Sequence, residues 1–268
     1  MHTEHALIMR RKDLPGKYLV VCLLILTIIF QDVDTLPICS PISGILAVQN
    51  SCRLPSNPGG YSFSSLTINS PVLLESSGSV SSNRIHVQGK LTIGSQGGII
   101  LQGSKAAGGS SDGVSLSGAG SGGSHAGRGG SPKSTRLSLG QATVSGDPVT
   151  PVTPGGRGGD GSAASSGGLG GSALKITSSQ CQIDGIIQSN GYDAVVSKNG
   201  GGGSGGSILI QCQQLSGDAI LEAIGGRGDG DGGGGSGGRI SVEYQSGSFN
   251  GQQRIYAHGG KTGKFCRT

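Results

Sequence analysis

The chain is 268 residues long and carries 55 glycines, 10 prolines, 3% aromatic residues, no tryptophan and a formal charge of +5. So few aromatic residues exclude a conventional aromatic-rich core, and so low a net charge is unlike the self-repelling chains that stay disordered. Beyond the first 17 residues the basic residues are isolated and not interleaved with aromatics, which excludes a nucleic-acid surface.

At the N-terminus, Arg10, Arg11, Lys12 and Lys17 precede the apolar run "YLVVCLLILTIIF", residues 18–30. That run of 13 is shorter than the ~20 residues a spanning helix needs. A basic stretch followed by a short apolar one predicts a secretory signal peptide over 1–35, with Thr35 an acceptable cleavage residue. The alternative is an uncleaved signal-anchor, and membrane association is expected only in that case.

One of the six cysteines, Cys22, falls in the apolar run. Cys39, Cys52, Cys181, Cys212 and Cys266 remain, and in an oxidising compartment they form disulfides. Cys39 and Cys52 are close enough in sequence to close a local loop, and 36–64 reads as a Cys-containing N-terminal segment. The other partners stay open; five is an odd number, and Cys266 near the C-terminal residue is the natural one left over. No Cys or His spacing fits zinc, and no cofactor or metal is expected.

From residue 65 the pattern is β. The stretches "LTI", "NRIHV", "KLTIG" and "GIILQG" within 65–103 read as successive short strands with tight turns. Residues 104–168 are Gly/Ser-rich and weakly patterned, a long insertion in which "TRLSLGQATVSG" (135–146) offers a strand or two. A repeat then appears. "GGSALKI" begins at 170, "GGSILIQ" at 205 and "GGRISVE" at 237. Each opens a strand with apolar residues at alternate positions: Leu174 and Ile176, Ile208 and Ile210, Ile240 and Val242. A second strand follows in each: Ile187-x-Ser189-x-Gly191, Leu221-x-Ala223-x-Gly225 and Ile255-x-Ala257-x-Gly259. The structural core is therefore expected to contain Ile208, Ile210, Leu221, Ala223, Ile240, Val242, Ile255 and Ala257.

A near-constant period is the mark of a stacked solenoid. One repeat buries about four apolar side chains at ~1.5–3 kcal/mol each. Ordering some 30 residues costs about 1–2 kcal/mol per residue. Only stacked copies sharing ladders and core can fold. Like strands stack on like, so the fold class is all-β with parallel sheets, a β-solenoid over 65–260 followed by a short tail, 261–268. The Gly blocks are expected at corners and loops, where backbones approach closely or φ is positive.

"GAGSGGSHAGRGG" (118–130), the Gly block before "SALKI", and "GGGSGGSI" followed by "AILEAIGG" and "GGGGSGGRI" resemble the Gly-rich extracellular proteins with pectate-lyase-like repeats. The resemblance covers about 65–260 and implies a right-handed parallel β-helix, usually within a longer secreted or membrane-anchored protein, mostly without an assigned activity. The chain departs from the pattern in keeping only Pro148, Pro151 and Pro154 of the Tyr-Gly and Pro features after the His segment. It also stops soon after the repeats, as a short form or fragment would.

Four chemistries remain to weigh. Arg227-Gly228-Asp229 is an RGD triplet in a predicted loop, the ligand-binding candidate, although so glycine-rich a chain produces the triplet cheaply. "GGRGGDGSA" (155–163) partly fits a β-roll calcium repeat, yet Asp160, Asp229 and Asp231 supply too few oxygens for a cation that takes 6–8. Asp184 and Asp218 occupy equivalent places in two repeats, where a carbohydrate enzyme could carry acids, but the third repeat has Gln252 and the plain reading is two turn residues. His125, like His86 and His258, lacks metal spacing and is expected to bond a turn. The predicted function is thus a secreted structural or adhesive module of the matrix or cell surface, partnering extracellular glycans or proteins, and not an enzyme. The alternatives are a polysaccharide-acting β-helix enzyme, which needs carboxylates and a base on one strand face, and a disordered Gly-rich matrix component.

Overall fold

The structure, a computed structural model, describes residues 35–41, 43–76, 82–103, 112–116, 118–132, 144–164 and 166–263. The predicted signal segment, Cys22, Cys266 and most of 135–146 lie outside the described residues.

Alternating apolar residues form the long strands, and short continuous apolar runs form several of the short ones. The first are β1 (Ile45–Val48), β2 (Cys52–Leu54), β3 (Tyr61–Phe63), β4 (Ser65–Ile68), β5 (Pro71–Leu74), β6 (Ser82–Ile93) and β7 (Gly98–Leu101). A small antiparallel pair, β8 (Ser115–Leu116) and β9 (Ala119–Gly120), lies in the Gly/Ser-rich stretch. Then come β10 (Ala173–Ile183), β11 (Ile186–Gln188), β12 (Ser207–Gly217), β13 (Ile220–Glu222), β14 (Arg239–Phe249) and β15 (Ile255–Tyr256).

They make two parallel sheets. One runs β1-β4-β6-β10-β12-β14, with β3 also paired to β6; the other runs β2-β5-β7-β11-β13-β15. The chain crosses from the first sheet to the second and back, laying down tiers of one long and one short strand. The columns are in register: Ile85, Ile176, Ile210 and Val242 face inward on the long sheet. Ile99, Ile187, Leu221 and Ile255 align on the short one. The core lies between the sheets and is built from such columns. A smaller cluster of Leu73, Ile100, Ile186 and Leu36 sits on the far side of the short sheet.

Ile208, Ile210, Leu221 and Ala223 are fully buried, as expected. Ile240 and Val242 are half-buried, and Ile255 and Ala257 are exposed, which corrects their assignment to the core. They are in the right columns, but no described tier follows theirs. The ladder also begins at Ile45, inside the segment set apart as 36–64. "NRIHV" and "KLTIG" are one strand, β6, bent where Gly89 adds a residue and shifts the register against β10.

The Gly blocks are not corners. No residue of 199–206 except Asn199, and none of 232–238, has positive φ. Each block is a straight segment whose backbone N–H groups bond only to other segments. The N–H groups of Gly201 and Ser204 donate to Gly159 and Gly156. Those of Gly202 and Gly205 donate to Gly233 and Ser236, and those of Gly203 and Gly206 to Tyr192 and Ser189, all at 2.8–2.9 Å. The carbonyls accept from three more segments: Gly201 and Ser204 from Gly168 and Gly171, Asn199 and Gly202 from Gly120 and Gly123, Gly200 and Gly203 from Asp229 and Gly226. A bonding period of three without internal bonds is that of polyproline-II-type chain, and here one segment has six such neighbours.

This bundle is made of hairpins that leave the short sheet and return to the long one. Arms 189–195 and 199–206 form one, and 223–229 and 232–238 the next. The described parts of the Gly/Ser-rich insertion supply further arms. At Gly201 only glycine fits, because a Cβ there would stand 1.9 Å from the Ser121 carbonyl oxygen.

Candidate functional site

Outward residues of the long sheet line three hollows. His86, Thr177, Gln211 and Glu243 share one row, and Arg84, Lys175 and Ser241 stand in the row beside it, where Leu209 is buried. At the bend in β6, the Ser178 and Ser179 hydroxyls both donate to the Gly89 carbonyl at 2.9 Å. The bend makes a trough of about 640 Å³, lined by His86, Thr177, Ser179, Gln211, Gln213, Glu243 and Tyr244 among others. A second hollow of about 360 Å³ lies beyond the bend, among Lys90, Gln180, Gln182 and Gln214. A third, about 420 Å³, lies between Tyr61, Ser62, Arg84 and Lys175. His86 Nδ1 bonds the Thr177 hydroxyl at 2.8 Å, and Gln211 Nε2 donates to Glu243 at 2.8 Å. Sequence reasoning missed this surface. Its signal was the polar half of the same alternation that gave the core, where glutamine recurs.

The RGD residues belong to the bundle. Gly228 is buried, and its N–H donates to the Lys261 carbonyl. Asp229 Oδ2 accepts from the backbone N–H groups of Lys198 (2.8 Å) and Asn199 (3.0 Å), at the tip of the neighbouring hairpin. That tip needs a cap because Ser197 and Asn199 have φ of 62° and 56°. Asp229→Ala is therefore expected to lower the unfolding free energy by about 1–3 kcal/mol and to leave cell attachment unchanged. Lost attachment with an unchanged melting curve would make the triplet a ligand.

Asp184 does the same work between tiers. Asp184, Asn190 and Asp193 accept from the N–H groups of Asp218, Ile224 and Arg227, each 34 residues on. Asp218 is paired with Arg254 at 2.8 Å, so the two acids are held by bonds across tiers. Asp160 accepts from Gly167 N–H and pairs with Arg157. Among the described residues no group of three His, Cys, Asp or Glu side chains is placed to hold a metal ion.

Cys39 and Cys52 form the expected disulfide, with Cα atoms 5.2 Å apart. Cys181 and Cys212 form a second, between β10 and β12.

His125 is fully buried and joins the insertion to the long sheet. The Ser207 hydroxyl donates to the Thr153 carbonyl at 2.6 Å, so its oxygen accepts from His125 Nε2 at 2.9 Å. Nδ1 faces the Ser145 hydroxyl at 3.4 Å. Arg239 donates to the Ser145 carbonyl at 3.1 Å. Burial, and then the charge of Arg239, push the imidazole down to about 4. An unfolded histidine titrates near 6.5. The stability from keeping His125 neutral is thus complete above pH 6.5 and lost as the pH falls towards 4. At 1.36 kcal/mol per pH unit, wild type should lose about 2 kcal/mol between pH 7.5 and 5. Urea unfolding at the two pH values checks this, with His125→Gln expected to remove most of the difference.

No protein-family model, no curated protein and no solved structure matches this chain.

Proposed function

We propose that the chain is a secreted structural or adhesive module whose polar trough holds an extended extracellular glycan. The observation that carries the reading is the trough of about 640 Å³, where amide, hydroxyl and imidazole groups from four adjacent strands face one open surface beside Tyr244. Sugar hydroxyls are matched by such donors and acceptors, and an aromatic face suits a sugar ring. One carboxylate, Glu243, lines the trough and is bonded by Gln211, which favours holding over cleaving. The two disulfides fit an oxidising compartment, and no helix among the described residues is long and apolar enough to cross a membrane. The tiered parallel sheets support a β-helix, with the right-handed crossovers that parallel strands favour. The motif order resembling Gly-rich extracellular proteins supports the same reading.

The test expresses the full chain in eukaryotic cells and screens the medium fraction on immobilised polysaccharides. Binding to at least one, weakened tenfold or more by Gln211→Ala with Tyr244→Ala, is the expected result. Retention in the cell would overturn secretion, and absence of binding would overturn the glycan.

A further inference from the structure

Arg84 and Lys175 are register partners on adjacent parallel strands, and both point outward. Strand spacing puts their backbones ~4.8 Å apart, and like charges side by side weaken a sheet. Three other arginines are ion-paired: Arg53 with Glu75, Arg157 with Asp160 and Arg254 with Asp218. Among the described residues no carboxylate pairs with Arg84 or Lys175. The acid in the next row, Glu243, lies two strands beyond Thr177 and is bonded by Gln211.

The two cations line the hollow of about 420 Å³, with Ser62, His86 and Thr177 on one side. Ser62 is the register partner of His86. Gly59 and Gly60 form the wall. Gly60 has φ +76°, and a Cβ there would stand 2.8 Å from the Arg84 Cβ, so the wall can close against Arg84 only as glycine. The hollow shares His86 and Thr177 with the large trough. One extended polymer can therefore occupy both.

We propose that this hollow is an anion subsite, in which Arg84 and Lys175 bind a sulfate ester or carboxylate carried by the glycan whose neighbouring units lie in the trough. The inference rests on the glycan reading and adds the charge of the ligand. A bound anion removes the repulsion between the two cations, and the hydroxyl and imidazole donors complete its hydrogen bonds.

The experiment measures binding of the full chain from medium to dextran, dextran sulfate and polygalacturonate at low and high salt. Wild type is expected to bind one or both anionic polymers at least tenfold more tightly than dextran, with affinity falling steeply as salt rises. Preference for dextran sulfate identifies a sulfate ester, and preference for polygalacturonate a carboxylate. Arg84→Gln with Lys175→Gln should abolish the preference and melt no lower than wild type, because repulsion is relieved. Lys175→Gln alone is the fallback if the double variant is unstable. Arg128→Gln with Lys198→Gln, exposed cations elsewhere, should retain the preference. Equal binding to dextran and the anionic polymers, or equal loss in the control variant, overturns the anion subsite while leaving the glycan reading intact. Failure to bind any of the three also overturns the anion subsite, and the glycan reading then stands or falls on the polysaccharide screen.

Discussion

Gly203→Ala is expected to lower the unfolding free energy by about 4 kcal/mol or more. The added methyl would stand 1.9 Å from the Leu169 carbonyl oxygen, in the middle of the bundle. Its surroundings are backbone, which has no rotamer to give. Relief requires segment 199–206 to move from segment 167–171, and it is bonded to five other segments as well. Gly203 N–H to Tyr192 and Gly226 N–H to Gly203 are the first bonds lost. Each buried group left without a partner costs about 1–3 kcal/mol, and a whole domain is stable by only about 5–15 kcal/mol. Gly127→Ala is the control, because a Cβ there meets nothing within 4 Å. It should change stability by less than about 0.5 kcal/mol. Denaturant unfolding of the two variants beside wild type decides the matter. Equal curves would mean that the segments do not pack as described.

Leu221→Asp is expected to abolish cooperative unfolding altogether. Leu221 is fully buried, between Ile187 and Ile255 in its column. Truncation to alanine there should cost about 2–5 kcal/mol. Aspartate adds an unpaired charge inside the core, and losses above about 4–5 kcal/mol follow from such changes. Ile255→Asp provides the contrast, since the same column is 37% exposed at that tier and the variant should still melt cooperatively. A wild-type melting curve for Leu221→Asp would overturn the inward assignment.

These two variants also mark what could be read from the sequence. Leu221 was legible because burial follows local alternation, and alternation repeats at a fixed period. Cys39–Cys52 was legible because its loop is short. The role of Gly203 was not. Glycine blocks look alike whether they turn or run straight, and the partners of 199–206 lie in six other stretches of the chain. Cys181 and Cys212 do not share a row; Cys181 aligns with Leu215 and Cys212 with Ser178. Superposing the repeats therefore does not bring them together. Gly89 read as a turn because its cost inside a strand was visible, whereas the serine hydroxyls of β10 that bond its carbonyl were not. The trough depends on register across strands up to 91 residues apart, which no local pattern carries. Arg84 and Lys175 were invisible as a pair for the same reason.

The bundle has a spectroscopic consequence. Polyproline-II-type chain is also a major conformer of unfolded protein, so its circular dichroism overlaps with that of a denatured sample. A spectrum of this protein would show the two sheets and report the glycine segments as coil. Amide hydrogen exchange would say the opposite, because N–H groups such as those of Gly202 and Gly205 are buried and bonded at 2.9 Å. Residues that look denatured in the ultraviolet should be among the last to take up deuterium.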